Sequence, residues 1–290
     1  MLRLIGLVVL RIIGVTVAVN AVLWLLVWSS APTRSEAAVA LSARAPDIRG
    51  TEADDLDEFI LGNIVFVLFH EFGHALVSEF ELPVLGREED AVDRFATFLL
   101  TPEGGEDEAS DPSTILIDAM RGWFAASERT ELAEIEWWDE HGPDQQRAYQ
   151  IACLLYGADP KKFGVMAEEV KLPEARKESC PAEAESNSVS WAKSVAPHVL
   201  DDGEKARKRV AVYYGSGGKY QRERALLKDS ELLEAVASVI SETFRLPRNI
   251  TVVAKKCGEP NAFWDSEAAE VQICYELVRE YQDLYDQARR

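Results

Sequence analysis

Residues 70–74 read His70-Glu71-Phe72-Gly73-His74, an H-E-x-x-H pentapeptide. On a helix, two histidines four apart lie on one face, a turn from each other. Two imidazole nitrogens then reach one zinc ion at about 2.0–2.1 Å. The glutamate beside the first histidine sits to the side of such a metal. There it can take a proton from an activated water and later pass it to a leaving amine. The chain has only four histidines, and two of them are in this motif. The preceding residues include Ile64, Val65, Phe66, Leu68 and Phe69. On so apolar a helix an unpaired His or Glu would be costly.

A catalytic zinc site needs a third protein ligand and an open position. The next helical pattern begins Gly86-Arg87-Glu88-Glu89-Asp90-Ala91-Val92-Asp93. Glu89 and Asp93 are four apart and share a face. This phasing favours Glu89 as third ligand, with Asp93 accepting a hydrogen bond from the far nitrogen of a ligating histidine. Glu88 is the competitor, although it lines up with Val92 and Phe95, which should face a core. An acidic first turn favoured by the helix dipole is the plain alternative. Gly73 weakens its helix, so something local should compensate, and close backbone approach by a neighbour is one candidate.

These groups need two adjacent helices to hold them. Residues 56–81 read as a long helix stopped by Leu82-Pro83, and Glu88 to Leu100 as a second, after a turn at Gly86. Residues 103–113 form an acidic loop. Further helices are expected at 114–126 and 129–139, and from Pro143 to a Gly157 cap, with 161–195 mixed. After Asp201-Asp202-Gly203 the pattern changes. Strands are expected at 209–215, 249–256 and 270–274, with helices at 230–244 and 276–288. The expected fold class is α+β: a mostly helical core over 56–200 with the H-E-x-x-H helix, and a small C-terminal sheet with flanking helices over 201–290 packed on it.

With these residues in view, the sequence resembles the bacterial zincin-type, gluzincin-like metallopeptidases grouped as a domain of unknown function. The likeness rests first on the His-Glu-x-Gly-His-Ala segment and on Leu82-Pro83-Val84-Leu85-Gly86-Arg87-Glu88-Glu89-Asp90. It continues through Asp139-Glu140-His141-Gly142, Gln146-Arg147, Cys153-Leu154-Leu155-Tyr156-Gly157, Cys180, Trp191, Cys257-Gly258-Glu259-Pro260-Asn261-Ala262-Phe263 and Cys274-Tyr275-Glu276-Leu277. It covers nearly all of residues 56–285. In many gluzincin-like peptidases an Asn-Ala-Phe-type strand precedes the zinc helix; here it follows, so the order looks permuted. The resemblance implies a zincin fold, a Zn2+ cofactor and a peptide or protein substrate.

Several residues are candidates for the rest of the chemistry. Asn261-Ala262-Phe263 fits a sheet edge beside the metal, able to pair with an extended substrate backbone, or else an ordinary hairpin corner. The oxyanion of a tetrahedral intermediate needs a donor. His141, Arg147, Tyr149 and Tyr275 are candidates; for His141, named as the catalytic candidate, a helix cap or surface role is the open alternative. Arg147 also suits a structural ion pair. His198 is read as incidental, and Trp137-Trp138 as core.

Composition bounds the setting. Of 290 residues, 31 are Lys or Arg and 50 are Asp or Glu, a net charge of −19. Nucleic-acid binding calls for clustered positive charge, so it is excluded as the expectation. With 47% hydrophobic residues the chain can fill a core. Arg3 and Arg11 precede an apolar run to Trp28. Residues 1–40 therefore read as a signal peptide with a cleavage site at Ala38-Val39-Ala40, or as an anchor over residues 4–28 retained in the membrane. Residues 41–55 continue a polar linker. Removing residues 1–40 takes away Arg3, Arg11, Arg34 and Glu36, leaving 28 basic and 49 acidic residues, a net of −21. The body is expected outside the cytoplasm, periplasmic or secreted, where cysteines pair. Four cysteines allow three pairings. Cys153 with Cys180 and Cys257 with Cys274 are preferred because each closes a short loop. Against the peptidase stands a second reading, a zinc-stabilised envelope scaffold with little turnover. An intramembrane protease fits poorly, because Phe59–Phe69 alone is short of a span. Oligomeric state is not legible.

Overall fold

The computed structural model of the chain describes residues 52–101, 113–201 and 203–289. The candidate leader or anchor, the linker up to residue 51 and nearly all of the acidic loop lie outside them. The architecture is α+β, with a long buried helix that packs on neighbouring helices and on a four-stranded sheet.

That helix is α1, Glu52–Phe80, and it starts earlier than the expected Leu56. Its sequence is apolar all round, which suits a helix covered on every side. Phe59, Ile60, Ile64, Phe66, Leu68, Phe69, Phe72 and Leu76 are all buried. By length and composition Asp55–Phe80 could cross a membrane, yet 94% of its most apolar stretch is covered by the rest of the fold. The helix ends where Glu81 takes φ 51° and the Leu82 N–H donates back to the Val77 carbonyl at 3.0 Å. This is a Schellman-type stop with Pro83 just beyond it.

On α1 pack α2 (Glu88–Leu100) and α3 (Ser113–Ser127), and against these two packs a further group, α4 (Asp144–Ala158), α5 (Gly164–Glu169), α6 (Glu174–Lys177) and α7 (Cys180–Val195). Gly73 explains the close fit of α1 to α2. A Cβ there would lie 2.7 Å from Val92 Cβ and 2.8 Å from Val92 Cγ1, so the close neighbour is a side chain and not backbone. Gly73→Ala is expected to destabilise the fold by about 1–3 kcal/mol, as overpacking does. Adding Val92→Ala should recover most of that. Denaturant melts of the two variants check this, and equal stability of Gly73→Ala and the parent would remove the steric argument.

The helix expected at 129–139 does not form. Only a 3-10 turn, Leu132–Glu134, is present. Leu132, Trp137 and Trp138 are exposed, so there is no apolar face to hold a short helix, and Trp137-Trp138 is surface and not core. Gly157 is not a cap either, since α4 runs on to Ala158. A Cβ on Gly157 would fall 2.1 Å from the Cys180 carbonyl oxygen, so this glycine admits the backbone of α7. The same contact is tied by the Cys153–Cys180 disulfide, Cα–Cα 5.1 Å.

The C-terminal part holds β1 (Val210–Tyr214), α8 (Gln221–Asp229), α9 (Leu232–Thr243), β2 (Ile250–Lys255), β3 (Ala262–Asp265), β4 (Glu270–Cys274) and α10 (Tyr275–Ala288). The charged helix α8 was not foreseen, although Arg, Glu, Ala, Leu and Lys are good helix formers. The sheet order is β1-β2-β4-β3, with β3 antiparallel to β4 and the other pairs parallel. The second disulfide, Cys257–Cys274, has Cα–Cα 5.4 Å and closes the loop that leads into β3. Both cysteine pairs are those preferred from loop length. One hydrophobic core runs from α1 through the sheet to α10, so the helices and the sheet share an interior.

Candidate metal centre

α1 and α2 bring the expected groups together. His70 Nε2 lies 3.1 Å from Glu89 Oε2, and His74 Nε2 lies 3.3 Å from Glu89 Oε1. A third imidazole joins them from the loop before α4, with His141 Nε2 3.0 Å from Glu89 Oε2. Single ligand atoms of His70, Glu89 and His141 all fall within 4.8 Å of one another; the expected His74 is not in that group and meets Glu89 through its other oxygen.

The pattern of these contacts fits a cation. Glu89 Oε2 is buried and makes no well-formed hydrogen bond, although two imidazole nitrogens stand about it. Nitrogen and oxygen donors facing one another at such distances without aligned hydrogen bonds are what a shared metal ion draws together. The donor set is imidazole and carboxylate, which suits zinc.

Each ring is held from behind. His70 Nδ1 is 2.7 Å from Asp93 Oδ1, and His74 Nδ1 is 2.7 Å from Glu88 Oε1. Glu88 therefore does not face the core; it meets the Nδ1 edge of His74. His141 Nδ1 is 3.2 Å from Asp139 Oδ1, which also accepts the His141 backbone N–H at 2.8 Å. Such outer carboxylates fix the tautomer and aim Nε2 inward.

Asp93 has a further support. Arg147 donates to it twice, from Nε to Oδ2 and from Nη2 to Oδ1, each at 2.7 Å. The guanidinium lies over the Trp123 ring, 3.7 Å from its centroid, and the side chain is only 10% exposed. Arg147 thus stands behind the centre and is not free to bind substrate. Tyr275 is also not at the site. It is fully buried, and its hydroxyl donates to the Gly215 carbonyl. Tyr149 packs edge-on against Phe124, and His198 stacks on Phe80, away from the motif.

Glu71 is buried against the edge of the sheet. The backbone of Trp264 in β3 lies beside its carboxylate and works to lower its pKa. Burial raises its pKa above the usual carboxylate range, against the opposing pull of His70 and His74. Burial also works to raise Glu89, but its contacts with His141, His70 and His74 outweigh this and hold it well below that range. His74 loses some basicity to burial, yet Glu89 and Glu88 push it up to about 9.

β3 is an edge strand, as read for Asn261-Ala262-Phe263. Ala262 and Phe263 lie in it and pair with Ile273 and Gln272. The Asn261 side chain accepts the Ala262 N–H at 2.8 Å. The Trp264 contact to Glu71 was not foreseen, because a backbone contact leaves no mark in side-chain spacing. The sequence also carried no sign that Glu88 would reach His74.

A family model described as "Putative metallopeptidase" matches residues 38–195 and 215–290, which includes every group of this centre. The chain belongs to that family. It is a peptidase-type hydrolase of the metal-dependent kind. No curated protein and no solved structure matches it. Within the metallopeptidase, the side chains described above are those a bound metal would meet first.

Proposed function

We propose that the protein is an exported zinc metallopeptidase that hydrolyses peptide bonds. The observation that carries this is the meeting of three imidazole Nε2 atoms and Glu89 beside the buried carboxylate of Glu71. His70, His74 and Glu89 would hold the metal. When bound, zinc polarises the attacked carbonyl and acidifies a water molecule.

The chain's own residues do the rest. Glu71 accepts the proton of the attacking water and returns it to the amine that leaves. Burial suits it to this role by making the carboxylate more basic. His141, 47% exposed on the open side and backed by Asp139, donates a hydrogen bond to the oxyanion. Asp93 and Glu88 hold the rings of His70 and His74. The edge of β3 lies beside Glu71 and suits an extended substrate backbone. Export is supported by the apolar run before Trp28 and by the two disulfides.

The reach of His141 favours one other reading. As a fourth ligand it would close the metal's shell, and the protein would be a zinc-stabilised envelope scaffold. His141→Ala separates the two. A peptidase keeps about one zinc per chain and loses turnover about 10²-fold or more. A scaffold loses affinity for zinc instead. Metal analysis of the purified protein, with peptide hydrolysis before and after chelation, is the direct test. Metal-free protein from a zinc-supplemented preparation would falsify the proposal.

A further inference from the structure

Of the four side chains that converge at the centre, three stand on packed helices. His70 and His74 are on α1 and Glu89 is on α2, and all three side chains are largely covered. His141 is different. It ends an irregular strap, residues 128–141, and its side chain is half exposed. At the start of the strap Arg129 donates to Gln287 and Glu280 on α10. At its end His141 Nε2 meets Glu89, and the chain then enters α4. From Glu131 to Glu140 the hydrogen bonds among the described residues stay within the strap. Examples are the Glu134 N–H to the Glu131 carbonyl, the Trp137 N–H to Ile135 and the Asp139 N–H to Glu136. Leu132, Trp137 and Trp138 are exposed and give it no packing. A cavity of about 600 Å3 lies between Thr130, Leu132 and Ile135 of the strap and Pro143, Asp144 and Arg147. A segment with so little buried apolar contact opens at low cost.

Yet His141 Nε2 comes as near to Glu89 as the motif histidines do, at 3.0 Å against 3.1 and 3.3 Å. The Glu89 oxygen it faces, Oε2, is the buried one without a hydrogen-bond partner, and His70 faces the same atom. Asp139 lies 3.2 Å from His141 Nδ1 and turns Nε2 toward the centre. Asp139 belongs to the strap, so ring and orienting group travel together. Four protein donors complete a tetrahedral shell, whereas hydrolysis needs an open position. A permanently closed shell would leave the buried Glu71 carboxylate no water to act on.

We propose that His141 is a displaceable fourth ligand, so that the strap latches the metal position in the resting protein and an incoming substrate lifts it. This rests on the peptidase reading above and adds a gate to it. Loops that cover a site commonly open to admit substrate. Released, the His141 ring stays beside the position it leaves, where an oxyanion donor is needed.

The test compares the zinc-loaded full chain with His141→Ala, using acetohydroxamate, a small chelating probe that needs a free position on the metal. X-ray absorption at the zinc edge should count three imidazoles in the resting parent and two once the probe is bound. His141→Ala should keep one zinc per chain and show two imidazoles throughout. With the latch open about a tenth of the time, the probe should bind the variant about tenfold more tightly than the parent. Fluorine NMR of protein labelled with 5-fluorotryptophan follows the strap itself. The Trp137 and Trp138 signals, assigned by Phe substitution, should shift with the probe in the parent and stay in place in His141→Ala. Two imidazoles in the resting parent overturn the latch and leave the peptidase standing. Three imidazoles that persist with the probe bound overturn it as well, and make His141 a permanent ligand. A latch that opens as expected in a protein that cleaves nothing in a broad peptide library overturns the peptidase and leaves a gated zinc site. The imidazole counts in the parent decide the matter even if the variant fails to fold.

Discussion

Glu71→Gln is expected to keep about one zinc per chain and to lose about 10³-fold in kcat, or about 4 kcal/mol of transition-state stabilisation. The amide has nearly the same shape, and its carbonyl oxygen can stand where the Glu71 oxygen stands beside the backbone of Trp264. The fold should therefore be undisturbed. The metal ligands proposed here, His70, His74 and Glu89, are untouched. An amide cannot accept the proton of a water at neutral pH, and nothing adjacent can replace it. Glu89 faces three imidazoles, and Asp93 is tied to Arg147. Metal analysis and steady-state kinetics on the same preparation decide the matter. A variant still turning over within tenfold of the parent would remove Glu71 from the proposed mechanism. Loss of zinc along with activity would recast it as a group that holds the centre together.

The parts of this centre that follow helical periodicity were legible in the sequence. His70, His74, Glu89 and Asp93 belong to two helices, and a period of 3.6 residues fixes which of them share a face. The same reasoning misread Glu88. It sits at the first residue of α2, where the side chain leaves the helix end and reaches across to α1. Gly73 called for some local compensation, with backbone approach the candidate, and the packed structure shows the side chain of Val92 there instead. The 129–139 segment misled for another reason. Its residues tolerate a helix, yet its tryptophans find no surface to pack on, and helix stability in proteins comes mostly from such packing. The arrival of His141 beside Glu89 depends on that irregular loop, so no local pattern could place it. Arg147 was recognised as a charged residue with two plausible roles, and its partner lies 54 positions away on another helix.

That partner supports the other large prediction. Asp93→Ala is expected to lower stability by about 3–5 kcal/mol, because it leaves the Arg147 guanidinium buried with no counter-charge. It is also expected to weaken zinc binding about 10–100-fold, because His70 loses the group that orients its ring. The two effects have different causes and can be separated. In the double variant Asp93→Ala, Arg147→Met the uncompensated charge is gone, and a methionine can rest against Trp123 where the guanidinium lay. Stability should recover in large part. Zinc affinity should not, since His70 Nδ1 still lacks its acceptor. Denaturant unfolding of metal-free protein measures the first quantity, and competition with a chromophoric chelator the second. If affinity returned together with stability, Asp93 would act on the metal only through the general integrity of the fold. If the single variant left both unchanged, the chain from Trp123 through Arg147 and Asp93 to His70 would carry neither function.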